Sequence, residues 1–348
     1  SFEITGVPLA PSYVPGHMSS SSERMSFLER VANTLSNPFS MMLIVPYFQQ
    51  PSYDLLAERF PDIPRGRHIA EQATMIFTNS EPLLDFPRPT SHRIVDIGGI
   101  TASSAHKLLN STWSAIFSLR PKTVLLSFGS VAKSYLMPDS YKHTIRETLR
   151  KFADVTFIWK YEKPEHRVSE GIDNVVESTW VPQMNILHDP RLSAFITHCG
   201  TGSTIEATIA GKPLIVIPVM GDQMRNAQLI KRAGTGIILE KADLEEEGKL
   251  EAALREVLEN PSYAKAANRT AEMIIHRPFE MREIFVRNME FVARFGPLKM
   301  LEHYGRQLSF IQYYLIDVFA FIASIVLLVL AVVFLALRFI VKCAYSRL

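Results

Sequence analysis

The 348 residues carry 37 Lys and Arg against 35 Asp and Glu, so the formal net charge is only +2. That balance leaves no bulk electrostatic case for a nucleic-acid partner. Two cysteines exclude a disulfide scaffold or a cysteine-built zinc site, and the length suits about two domains.

The first residue is Ser1 rather than Met and no signal peptide is visible, so the chain reads as a processed or partial product. PSYVP at 11–15 is turn-like. A serine run at 19–22 leads into an amphipathic helical pattern ending at Leu35. The pattern predicts a short strand over 70–78, a proline-rich connection over 79–89, and a strand with a glycine break over 92–100. Residues 101–120 read as linker and helix.

KTVLLSFGSVA at 122–132 reads as a buried strand running into a small-residue loop, Ser127-Phe128-Gly129-Ser130. A helix is expected over 140–152, a strand over 155–161 and a strand entering a loop over 174–183. LSAFIT at 192–197 is a branched and aromatic apolar run, which marks a buried strand, and His198 ends it. Cys199 to Ser203 form a small-residue turn that opens a helix over 204–210. Gly211-Lys212-Pro213 breaks that helix, and 213–219 is a second buried strand, followed by Asp222 and Gln223. A helix over 223–232, a strand over 236–239, and helices over 244–258 and 280–295 follow. Such alternation predicts an α/β fold with a parallel sheet covered on both faces.

Strand, glycine turn and helix together aim free backbone N–H groups at an anion, with the helix dipole adding attraction. Ligands of open parallel sheets sit at the carboxyl ends of the strands. His198, Ser203, Glu206, Asp222 and Gln223 are therefore expected to converge on one crevice. A phosphate cradle, a carboxylate for two ribose hydroxyls and an Asp-Gln pair for sugar hydroxyls suit a nucleotide sugar. Each residue also has a plainer reading. Trp180 alone is a core aromatic, Gln183 a loop cap, Glu206 a solvated helix residue and Ser130 a turn residue. His198 alone is a hydrogen-bonded strand end, and Asp222 a helix N-cap. Cys199 reads as packing rather than nucleophile, and no residue cluster has metal-ligand spacing.

Residues 318–337 hold no charge, proline or glycine, and ~20 such residues match a bilayer core. Arg338, Lys342 and Arg347 follow without an acid, which places the tail in the cytosol, while Tyr313 and Tyr314 suit an interfacial belt. Asp317 marks the opposite interface. Asn110-Ser111-Thr112 and Asn268-Arg269-Thr270 are N-glycosylation sequons and fit a lumenal body.

Trp180, Pro182, Gln183, Phe195, His198, Gly200, Ser203, Glu206, Gly211, Pro213, Asp222 and Gln223 stand in a register that resembles the signature box of the UDP-glycosyltransferases. PSYVP, PLLDFPRP and IGGI nearer the start resemble the end of that family's N-terminal domain. The resemblance implies a GT-B-like α/β fold with a Rossmann-type donor domain, a partial second α/β domain and a C-terminal transmembrane helix. Its divisions fall at 1–105 (partial acceptor domain and linker), 106–300 (UDP-sugar donor domain), 301–317 (juxtamembrane), 318–337 (transmembrane) and 338–348 (cytosolic tail).

By the same resemblance, Trp180, Val181, Gln183, His198, Thr201, Gly202, Ser203, Glu206 and Ser130 bind UDP, and Asp222 and Gln223 bind the sugar. No metal and no cofactor besides the UDP-sugar co-substrate is implied. The implied reaction moves glucuronic acid or glucose from UDP-glucuronic acid or UDP-glucose to small lipophilic acceptors with inversion. The implied place is the endoplasmic reticulum membrane, single-pass, alone or in homo- or hetero-oligomers. The tail KCAYSRL lacks the paired lysines often seen there, so anchorage is better founded than retention. No catalytic residue is assigned, because the family's base, a histidine oriented by an aspartate, belongs upstream of residue 1. Two other expectations compete: a catalytically incomplete donor-binding chain that regulates full-length partners, and a nucleotide-binding protein without sugar chemistry.

Overall fold

The computed structural model describes residues 7, 10–39, 45–62, 72–101 and 108–345. Helices α1 (Phe27–Phe39) and α2 (Val45–Arg59) precede two short strands, β1 (Ile76–Thr78) and β2 (Ile94–Asp96). The strands pair in parallel, Ile76 opposite Ile94. Residues 70 and 71 of the expected first strand, linker residues 102–107 and Arg347 lie outside the described residues. Helix α2 escapes pattern reading because it has almost no apolar periodicity and contains Pro51.

The next segment runs α3 (Ser111–Phe117), β3 (Lys122–Ser127), α4 (Asp139–Arg150), β4 (Val155–Lys160), β5 (Val175–Ser178), α5 (Gln183–His188) and β6 (Leu192–Thr197). It continues through α6 (Thr201–Ile209), β7 (Leu214–Val216), α7 (Gln223–Ala233), β8 (Gly236–Ile238), α8 (Lys249–Glu259), α9 (Pro261–Ile275) and α10 (Met281–Phe295). The six strands β3 to β8 form one parallel sheet in the order β5-β4-β3-β6-β7-β8. Chain order reverses between β3 and β6. A crevice therefore opens at their carboxyl ends, where ligands of doubly wound sheets bind.

Alternation along the strands divides the core in two. Val124, Leu126, Phe157, Trp159, Ala194 and Ile196 face the side that Ile145 and Leu149 of α4 and Leu254 and Val257 of α8 cover. Leu125, Ile158, Phe195, Leu214 and Val216 face the side of Ile186, Leu187, Ala207, Leu229 and Ile230. Both faces are sealed, so the strands are near-continuously apolar, as parallel sheets require. Each fully buried aliphatic side chain contributes about 1.5–3 kcal/mol.

Three boundaries differ from the sequence expectations. Thr201, Gly202 and Ser203 are the first turn of α6 rather than a turn before it, because Gly200 in an extended conformation already serves as the N-cap. The helix expected over 244–258 is broken: Leu244 sits in a 3₁₀ turn (Lys241–Glu245), and Gly248 at φ +89° separates it from α8. Helix α9 has no counterpart among the expected elements; the Asn260 side chain caps it and Pro261 occupies its first turn.

The segment beyond α9 returns to the N-terminal strands. Phe285 of α10 meets the Phe77 ring edge-on at 4.8 Å, and Arg277 pairs with Glu81 at 2.7 Å. After α11 (Phe310–Tyr313) comes α12 (Ile316–Tyr345). Among the described residues it is the one helix long and apolar enough to cross a membrane, over Ile316–Lys342, and none of its most apolar stretch is buried. Those 27 residues span roughly 40 Å at helical rise, enough for a bilayer core.

Candidate nucleotide-binding site

A cleft of about 620 Å³ lies at the strand-order reversal. The end of β3 and the loop after it supply Ser127, Gly129, Ser130 and Val131 to its wall, the loop after β6 supplies His198 and Gly200, and the first turn of α6 supplies Thr201, Gly202 and Ser203. Trp180 and Val181 enter from the loop after β5, Gln183 from the start of α5, Glu206 from α6 and Lys160 from the end of β4. Nine residues read from the sequence as UDP contacts thus line one cleft. Helix α6 points its first turn into it, so the free N–H groups and the positive end of the dipole face any anion held there.

His198 is the pivot of the cradle. A Cβ on Gly129 would stand 2.6 Å from its Cε1, and a Cβ on Gly200 would stand 2.6 Å from its Nε2. Only two glycines allow the ring to sit between the loops. Burial pushes the His198 pKa down; Asp222 opposes this and Lys160 adds to it. The ring is therefore neutral at pH 7, with one N–H to donate.

Sequence reasoning misses Lys160. It is 8% exposed, its ammonium donates to the Gly129 carbonyl at 2.7 Å, and it pairs with Glu162 at 3.1 Å. The signal that could have found it is a lysine ending an otherwise apolar buried strand, which needs a partner. It tethers the Gly129 loop and puts positive charge beside the cradle.

The Gln183 amide donates to Ser203 Oγ at 3.1 Å and to Glu206 Oε2 at 2.7 Å. One side chain thereby fixes both the first turn of α6 and the carboxylate one turn on. Trp180 is 70% exposed at the rim, so it is no core aromatic but a flat apolar face open to the cleft. Val181 beside it is buried.

Asp222 and Gln223 do not converge on this cleft as expected. They follow β7, which is one strand beyond the reversal point. Gln223 is 7% exposed and its carbonyl oxygen accepts the N–H groups of Val219 and Met220 at 2.8 and 3.0 Å. Asp222 makes no side-chain cap to α7. Its Oδ2 accepts from Thr201 Oγ1 at 2.5 Å and Asn226 Nδ2 at 2.8 Å. Burial alone would raise its pKa, but these two hydrogen bonds hold it below the usual carboxylate range. Thr201 lines both the cleft and a second cavity of about 390 Å³ between the N-terminal segment and α6–α7, with His17, Asp85, Arg88 and Arg225 on its wall.

Cys199 is fully buried at φ +66°, with its thiol against Thr204 Oγ1 at 3.4 Å. Burial pushes its pKa up to about 12. A thiol so placed is inert packing. Iodoacetamide at mildly alkaline pH is expected to leave Cys199 unmodified in the folded chain and to alkylate it in urea. Peptide mass mapping reads this, and rapid modification of the native protein would refute it.

The parallel α/β sheet with its crevice at the strand-order reversal shares its fold with solved GT-B glycosyltransferases. The solved structure of the glycotransferase of kitacinnamycin superposes with a TM-score of 0.55 at 20% identity, covering 73% of this chain and 67% of that one. A double-alanine variant of Os79 from O. sativa, in complex with UDP, superposes with a TM-score of 0.52 at 19% identity over 63% of this chain and 55% of that one. These likenesses concern the fold. The chain belongs to the family described as UDP-glucoronosyl and UDP-glucosyl transferase, whose profile matches residues 2–347. It is 32% identical over 342 residues to the putative UDP-glucuronosyltransferase ugt-47 of Caenorhabditis briggsae, covering 97% of this chain. It is 30% identical over 347 residues to human UDP-glucuronosyltransferase 1A4, covering 99% of this chain. The match spans 63% of the first relative's length and 62% of the second's.

Proposed function

We propose that the cleft holds a UDP-sugar and that the protein serves as a UDP-glycosyltransferase, moving glucuronic acid or glucose to a small lipophilic acceptor. The observation carrying this reading is the meeting of two glycine loops around His198 with the Gln183-held Glu206 at the strand-order reversal. Trp180 stacks on the base, the Val181 backbone reads its edge, and Glu206 takes the ribose hydroxyls beside Gln183. The diphosphate lies on the first turn of α6, with Thr201, Gly202, Ser203, His198 and Ser130 around it. In this reading Asp222 and Gln223 hold the sugar beyond the cleft wall, where Asp222 accepts the Thr201 hydroxyl.

In the proposed reaction an acceptor hydroxyl oxygen attacks the anomeric carbon with inversion, and the hydroxyl proton passes to solvent. The bond to the diphosphate oxygen breaks, and its electron pair stays on UDP. The cradle stabilises that developing charge electrostatically. No metal or organic cofactor takes part, and no catalytic base is assigned among the described residues. Residues 106–300 form the donor domain in this reading, and 1–105 part of the acceptor domain. Residues 301–317 are juxtamembrane, 318–337 span the endoplasmic reticulum membrane, and 338–348 face the cytosol with the body lumenal.

Calorimetric titration of the full chain in nanodiscs with UDP, UDP-glucose and UDP-glucuronic acid tests the reading. One UDP-sugar is expected to bind more tightly than UDP. Glu206→Ala is expected to weaken binding roughly ten- to hundredfold, since hydrogen bonds to a charged group contribute about 1.5–3 kcal/mol. Absence of binding by all three nucleotides to a chain that melts cooperatively would overturn the proposal.

A further inference from the structure

The stretch between the body and α12 has an unusual surface. Phe295 is 53% exposed, Met300 80%, Tyr304 70% and Phe310 71%. Leu298, by contrast, is 8% exposed. The four large side chains face outward around it. Isolated exposed apolar residues need no explanation, but several large ones gathered in one short stretch with charges between them suit an interaction surface.

Three cations, Arg294, Lys299 and Arg306, and one acid, Glu302, are interleaved with these residues. Ser309 and Gln312 close a capping box that builds the one-turn α11. The Phe310 and Tyr314 rings lie 4.7 Å apart and those of Tyr313 and Tyr314 4.9 Å apart, forming an aromatic cluster directly before the apolar helix. Leu315, at φ +54°, breaks the path between α11 and α12, so the aromatic turn does not simply extend the long helix. Aromatic rings with basic neighbours at the end of a spanning helix match the headgroup boundary, where amphipathic side chains have one end in hydrocarbon and the other in water.

We propose that residues 295–315 lie in the lipid headgroup region as an interfacial platform that holds the body against the bilayer. The occupant of this apolar face is the lipid surface, and the supporting observation is its continuity with α12. The inference rests on the reading of α12 as a membrane span.

Depth-resolved fluorescence quenching tests it on the full chain in phosphatidylcholine vesicles. One lipid set is brominated near the acyl carbonyls, the other near the chain ends. Met300→Trp and Phe310→Trp report on the platform, Leu328→Trp on the middle of α12, and the exposed Leu136→Trp on the body. All four exchange one exposed apolar side chain for another, so the fold is kept, and the signal is the difference from the parent chain. The platform tryptophans are expected to lose most of their added fluorescence to shallow bromines and little to deep ones. Leu328→Trp is expected to show the reverse, and Leu136→Trp neither. If Leu328→Trp is quenched while Met300→Trp and Phe310→Trp behave like Leu136→Trp, the platform is refuted and the span stands. If Leu328→Trp also escapes both lipids, the span reading fails and the platform falls with it.

Discussion

Replacing Gly129 by alanine is expected to weaken UDP binding roughly ten- to hundredfold while leaving the body folded. Two costs coincide at this position. The backbone sits at φ +81°, where a residue with a Cβ loses about 1–3 kcal/mol. The new Cβ would also stand 2.6 Å from His198 Cε1 and 2.9 Å from Nε2. The ring cannot keep its place, because it is buried and the new Cβ would meet the same Cε1–Nε2 edge that lies against Gly200. Either the ring leaves the cradle or the loop lifts away from Lys160, whose ammonium holds the Gly129 carbonyl. Both outcomes dismantle the proposed phosphate site, and each 1.4 kcal/mol lost is about tenfold in Kd. Gly234→Ala is the control: its φ is +67°, but nothing lies within 4 Å of the added Cβ. It should lower stability by a comparable strain and leave UDP affinity alone. Calorimetry beside circular-dichroism melting separates the two effects. A Gly129→Ala chain that binds UDP like the parent would remove His198 from the proposed site.

Arg277→Met is expected to destabilise the folded chain by about 3–5 kcal/mol at neutral pH, the usual result of stripping a buried charge of its partner. Glu81 is 3% exposed, and its Oε2 meets Arg277 Nη1 at 2.7 Å while its Oε1 accepts the Leu83 N–H at 3.2 Å. Burial raises the Glu81 pKa above its ordinary 4.5, although the Leu83 hydrogen bond and Arg277 pull it back. The folded carboxyl thus holds its proton more tightly than the unfolded one. That contribution to stability is full below 4.5 and is lost as pH rises through the folded pKa. Removing Arg277 deletes part of the pull, so the folded pKa climbs and the window of loss widens upward. Urea unfolding across mildly acidic to neutral pH should show Arg277→Met losing ground steadily as pH rises. The double variant Glu81→Gln with Arg277→Met should recover much of the loss, because a neutral amide needs no counter-charge. A single variant costing less than about 1 kcal/mol at every pH would show that the pair does not clamp the N-terminal segment to the body.

The local signals in this chain are strong where structure depends on near neighbours. Apolar runs such as LSAFIT become strands because a parallel strand buried on both faces must be apolar throughout. Gly200 marks the start of α6 to within a few residues, and the uncharged run becomes the core of α12. Helix α2 escapes the sequence reading because it shows almost no repeat of apolar residues. Helix α9 keeps helical spacing on its buried face, Ala267, Thr270, Ala271 and Ile274, but small and polar side chains make that stripe faint in the sequence.

By itself, the sequence determined the strand-helix alternation, the identity of the glycine loops and the long apolar helix, while nine residues of the cleft wall came through its resemblance to the family's signature box. It did so because backbone conformation, strand burial and membrane compatibility are properties of short windows. Only the tertiary structure decided how those windows meet. The order β5-β4-β3-β6 brought the Gly129 loop onto His198, let Lys160 reach across to it, and let Gln183 hold Glu206. The same order left Asp222 and Gln223 one strand too far along to share the cleft wall. Contacts of that kind depend on which strands lie side by side and in what register, and no short stretch of chain encodes its distant neighbour.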